Sequence, residues 1–103
     1  MLQNTLPAIA LGGLLLVAAA DQLPTLDIGP ACAGASDGSS LTASVDQCKK
    51  SEQEARNTLA SEWSKFHATD RRECLALTKI GGFPSYVQVL TCLEVARYAR
   101  ESP

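Results

Sequence analysis

Four cysteines, Cys32, Cys48, Cys74 and Cys92, constrain this chain more than any other feature. The closest two, Cys32 and Cys48, are sixteen positions apart. That spacing rules out a Cys-x-x-Cys redox pair, and it lacks the close ligand pairs of a zinc site. An even number of well-separated cysteines in a small chain reads instead as two structural disulfides, which require an oxidising compartment.

The N-terminal segment supplies that compartment. The first twenty residues, MLQNTLPAIALGGLLLVAAA, carry no charge, and all nine Lys/Arg and eleven Asp/Glu follow them. Thirteen residues beyond Pro7, from Ala8 to Ala20, are apolar or small, fewer than the ~20 that span a bilayer. They end in Ala18-Ala19-Ala20, the small residues a signal peptidase accepts. The pattern predicts a signal peptide over 1–20, cleaved after Ala20, and a periplasmic or secreted mature chain. No Lys or Arg precedes the apolar core, so the free amino group is the only positive charge there. An uncleaved anchor is the alternative reading, and only through it would the chain meet a membrane. A lipoprotein would need a cysteine directly after the apolar core, and Cys32 lies twelve residues past Ala20. The net charge of −2 resides in the mature part, giving no electrostatic reason to bind nucleic acid.

Residues 21–43, rich in Gly, Pro, Ser and Asp, predict an irregular arm. The domain proper is predicted over 44–103. Ser44 and Gln47 fit a capping box opening a long helix over about 45–66. Val45, Cys48, Ala55, Leu59, Trp63 and Phe66 fall on one face of it. Glu52 lies close to that stripe and four residues before Arg56, the order that favours a helical ion pair. His67-Ala68-Thr69 breaks the pattern. Asp70 is then expected to cap a short helix over about 71–80 that presents Cys74 and Leu77, with Leu75 and Ile80 to either side. Gly81-Gly82 ends it, and Pro84 keeps Phe83 out of helical geometry. Ser85 and Gln88 open a third helix to about 100. Its main stripe is Tyr86, Val89, Leu90, Cys92, Leu93 and Ala96, and a narrower one is Val87, Thr91, Val95 and Tyr98. The expected fold is all-α: a long helix plus a short-helix/helix hairpin, behind an irregular arm and the N-terminal signal helix.

Spacing selects the disulfides. Cys74 and Cys92 are equidistant from Phe83, so an antiparallel hairpin sets them level, as a bridge with Cα atoms ~5.5 Å apart requires. Cys48 to Cys74 would demand that the second helix fold back along roughly 27 Å of the first. Cys32 with Cys48 remains, tying the arm to the first helix. A mature chain of 83 residues is marginal on burial alone, so such staples matter.

Chemistry-bearing residues are sparse. His67, the only histidine, is a candidate base or ligand, but at the end of the first helix it also suits the helix dipole. Trp63 and Phe66 read as core rather than as a ligand wall. Arg71 and Arg72 are too few for a phosphate site. No catalytic set, metal site or cofactor is predicted, and the expectation is a chain that is not an enzyme.

Taken together, Trp63-x-x-Phe66, Asp70-Arg71, Cys74, Gly81-Gly82-Phe83-Pro84-Ser85-Tyr86-Val87 and Leu90-Thr91-Cys92-Leu93-Glu94 resemble a group of small exported four-cysteine proteins of alphaproteobacteria. Their C-terminal helix reads GG-x-PSY-x-x-LLTCLE. Here Val89 takes the first Leu of LLTCLE, and Gln88 stands where an acid is expected. The resemblance runs from Cys32 onward and implies a periplasmic or secreted location without implying an activity. The functional expectation is therefore a non-enzymatic interaction or structural module whose partner surface is Phe83, Val87, Val95 and Tyr98, with self-association left open. The alternative is a small-ligand or metal-binding protein using His67 and Trp63.

Overall fold

A computed structural model describes residues 22–33 and 41–102; the expected signal helix lies outside them. The fold is all-α, with no strand among the described residues. A short helix α1 (Gly29–Ala33) precedes the long α2 (Leu41–Glu62), which runs into a 3₁₀ turn (Trp63–Lys65). Helices α3 (Ala68–Ile80) and α4 (Tyr86–Glu101) form the hairpin. Helix α4 packs on both α2 and α3.

The apolar stripes assemble as the periodicity requires. Ala55, Leu59, Trp63 and Phe66 from the first helical stretch meet Cys74 of α3 and Tyr86, Val89 and Leu93 of α4 in one core. Both disulfides form as spacing indicates: Cys32–Cys48 with Cα atoms 5.5 Å apart and Cys74–Cys92 at 5.7 Å. No cysteine is free. Gly82 takes a φ of 81°, the left-handed geometry that lets the chain turn out of α3 without a Cβ clash.

Several local expectations shift. Helix α2 begins at Leu41, placing Ser44 inside the helix; nothing in Leu41-Thr42-Ala43 opposes helix, so the Ser44 box does not mark the boundary. The chain breaks at Phe66 and His67, whose ψ angles of 148° and 137° are extended. Helix α3 thus starts at Ala68, and its cap is His67, not Asp70. The His67 Nδ1 accepts the Thr69 N–H at 3.3 Å, while Asp70 sits in the first turn, where a carboxylate favours the positive end of the dipole. Leu77 does not join the core; it is 61% exposed, because it points about 60° around the helix from Cys74, away from α2.

The arm is more than a tether. Besides α1, it contributes Leu26 to the core, with Leu23 and Ile28 packed against it. The Leu26 N–H donates to the Tyr86 hydroxyl at 2.8 Å, so a buried backbone amide of the arm is satisfied by the helical domain.

Candidate functional site

The polar groups that could do chemistry can be followed one by one. Glu52 makes no ion pair with Arg56; it is buried at 5% exposure and points into the start of α4. Its Oε2 accepts the Ser85 hydroxyl at 2.5 Å, and its Oε1 accepts the Tyr86 N–H at 2.6 Å. A helix start leaves backbone N–H groups without partners. One of them is satisfied here by a carboxylate from another helix, at the positive end of the α4 dipole. Ser85 is itself the cap, its Oγ accepting the Gln88 N–H at 3.2 Å. The reciprocal half of the expected box runs through α3: the Ser85 N–H donates to Thr78 Oγ1 at 3.0 Å, and the Thr78 hydroxyl donates to Gln88 Oε1 at 2.9 Å. Glu52, Thr78, Ser85 and Gln88 thus form one polar junction binding three helices. The only sequence signal for it was a carboxylate bordering an apolar stripe.

A second polar cluster lies at the opposite end of the hairpin. A cleft of about 240 Å³ is lined by Lys65, Phe66, His67, Asp70, Arg97, Arg100 and Glu101. Arg100 grips Asp70 through two bonds, Nε to Oδ2 at 2.6 Å and Nη2 to Oδ1 at 2.9 Å. That bidentate hydrogen bonding holds the Asp70 carboxyl below its usual range and raises the Arg100 guanidinium. Arg97 lies 4.5 Å over the Phe66 ring and bonds Glu62 at 3.1 Å. His67, the expected alternative ligand, is exposed and occupied in capping α3. Trp63, its expected companion, does not line this cleft. It is buried in the core, its carbonyl accepts from Arg71 Nη1 at 3.0 Å, and its ring lies 5.7 Å from the same guanidinium. The Trp63 indole N–H has no partner among the described residues. Among the described residues, no group of three or more His, Cys, Asp or Glu side chains is placed to hold a metal ion.

The remaining feature is apolar. Leu77, Ile80, Phe83, Val87, Val95 and Tyr98 are exposed, Val95 by 64% and Tyr98 by 74%. Val87, Thr91, Val95 and Tyr98 fall within a sector of about 80° on α4. Since Cys74 faces Cys92 across the hairpin, the helical period puts Leu77 and Ile80 on the same side as that sector, opposite the face that packs on α2. Phe83, exposed in the turn, lines a cleft of about 260 Å³ with Pro30, Ala31, Ser85 and Gln88. Of the four predicted surface residues, Val87, Val95 and Tyr98 thus share one exposed face of α4, and Phe83 is exposed in the turn. Leu77 and Ile80 extend the strip and were not expected there.

No helix among the described residues is long and apolar enough to cross a membrane. Two disulfides mark an oxidising environment. No protein-family model matches the chain, nor does any curated protein or solved structure.

Proposed function

We propose that the mature chain is a small exported interaction module, periplasmic or secreted, without catalytic activity of its own. Its working surface is the outer face of the α3–α4 hairpin. One observation carries this reading: six large apolar side chains stay exposed on a domain that otherwise buries its stripes efficiently. Exposed large apolar side chains gathered on one face cost solubility and mark an interaction site. The sequestered polar groups support the same view. Glu52, His67 and Asp70, the residues with acid–base character near the helix ends, are engaged in holding helix starts and the hairpin. The apolar N-terminal segment and the resemblance to small exported four-cysteine proteins support the location.

Photo-crosslinking in an exporting host tests the reading. A photoreactive residue at Val95 or Tyr98 should give discrete protein adducts, while the same probe at exposed Arg56 on α2 should not. Equal labelling from both faces, or none from Val95 and Tyr98, would refute it.

A further inference from the structure

The reading above leaves the partner open; resting on it, we infer that the partner is a second copy of the same chain. The two hairpins form an antiparallel four-helix bundle related by a two-fold axis parallel to the helices. A two-helix hairpin with one covered and one bare face is half of such a bundle.

The area agrees. Taken against whole-residue areas of about 150–200 Å² each, the exposed parts of Leu77, Ile80, Val87, Val95 and Tyr98 amount to roughly 600 Å² per chain. Two copies then bury roughly 1,200 Å², the low end of the ~1,200–2,000 Å² of stable specific interfaces.

The register agrees as well. Residues equidistant from position 83 lie level across the hairpin, as the Cys74–Cys92 bridge requires. Ile80 is then level with Tyr86 and next to Val87, and Arg72 is level with Glu94. A two-fold axis along the bundle lays α3 of one chain on α4 of the other while keeping these levels. Ile80 meets Val87 of the partner subunit, and Arg72 meets Glu94 of the partner subunit, each contact occurring twice. Arg72 and Glu94 are exposed and make no ion pair among the described residues, so both are available as rim charges. Glu73, exposed, falls between Leu77 and Ile80 in angle on α3 and so enters the seam, where desolvating its carboxylate keeps the association weak, with a Kd on the order of 100 μM.

The test uses the oxidised mature chain in sedimentation equilibrium from low micromolar to near millimolar concentration. The wild type should pass from monomer to dimer. Val95→Asp should weaken the dimer by about 100-fold, since it buries an unpaired charge. Arg72→Glu and Glu94→Arg should each weaken it about five-fold by placing like charges together. An equimolar mixture of those two variants should regain dimer, because in the mixed dimer both rim contacts pair a carboxylate with a guanidinium. All three positions are exposed, and unchanged circular dichroism and melting would show that the fold survives. A chain monomeric throughout overturns the inference; if Val95 still crosslinks to another protein in cells, the interaction reading stands without it. A dimer indifferent to Val95→Asp overturns both. Single variants that weaken the dimer without rescue in the mixture overturn the two-fold register.

Discussion

Replacing Glu52 tests the architecture at its most connected point. In Glu52→Ala the Ser85 hydroxyl and the Tyr86 N–H both lose their acceptor in a buried setting. A hydrogen bond to a charged group contributes about 1.5–3 kcal/mol, and an abandoned buried donor costs about 1–3 kcal/mol. Two such bonds, partly offset because the charge itself no longer needs burying, give an expected loss of about 3–4 kcal/mol. For a domain of this size that is a drop in Tm of about 12–30 °C. Glu52→Gln keeps one acceptor, for the Tyr86 N–H, but turns an amide donor toward Ser85, so about half of the loss is expected. The assay is thermal and urea unfolding of the oxidised protein followed by circular dichroism, with Ser85→Ala and the double variant completing a cycle. Glu52 and Ser85 should show a coupling energy of about 1–3 kcal/mol. A Glu52→Ala variant within about 0.5 kcal/mol of wild type, the ordinary range of a surface substitution, would refute the claim that this carboxylate joins α2 to the start of α4.

Other consequences are as direct. Peptide mapping under non-reducing conditions should find Cys32 joined to Cys48 and Cys74 to Cys92; replacing either pair by serine should cost about 3 kcal/mol, since each bridge closes a loop of fewer than twenty residues. Tyr86→Phe removes the acceptor for the Leu26 N–H, so the arm should become sensitive to limited proteolysis, with a loss of about 1–3 kcal/mol. The Asp70–Arg100 clasp gives a pH dependence of known sign. The Asp70 carboxyl is lowered in the folded state from an ordinary value of 3.8, so its contribution is complete above that value and fades as pH falls below it through the folded pKa. Acid unfolding curves should show this component in the wild type and lose it in Asp70→Asn.

What could be read from the sequence follows from how local each signal is. The stripes at Leu59, Trp63, Val89 and Leu93 are set by helical period alone, and all four residues are buried. The Cys74–Cys92 bridge needed only the turn at Gly81-Gly82 and symmetry about it. The narrower stripe on α4 was legible for the same reason, and Val95 and Tyr98 are exposed as its separation from the main stripe requires. Features that depend on tertiary contact were not legible. Glu52 looked like one end of an Arg56 pair because the start of α4, 33 residues onward in the chain, is its neighbour only once folded. His67 displaced Asp70 as a cap because the Phe66 core contact fixes where α3 begins. Leu26 looked like arm because its partner, the Tyr86 hydroxyl, lies 60 residues away. Leu77 and Ile80 read as core-directed or flanking on a single short helix; which side of it is covered is decided by the hairpin as a whole.

The bridges, the compartment and the outward face stand together, since a reduced chain would lose both staples. The most direct test is the intact mass of the protein recovered from an exporting host, measured without reductant and again after reduction and alkylation. The expected mass is that of residues 21–103 less four hydrogens, gaining four alkyl groups only after reduction. A full-length chain that alkylates four thiols without reductant would contradict it.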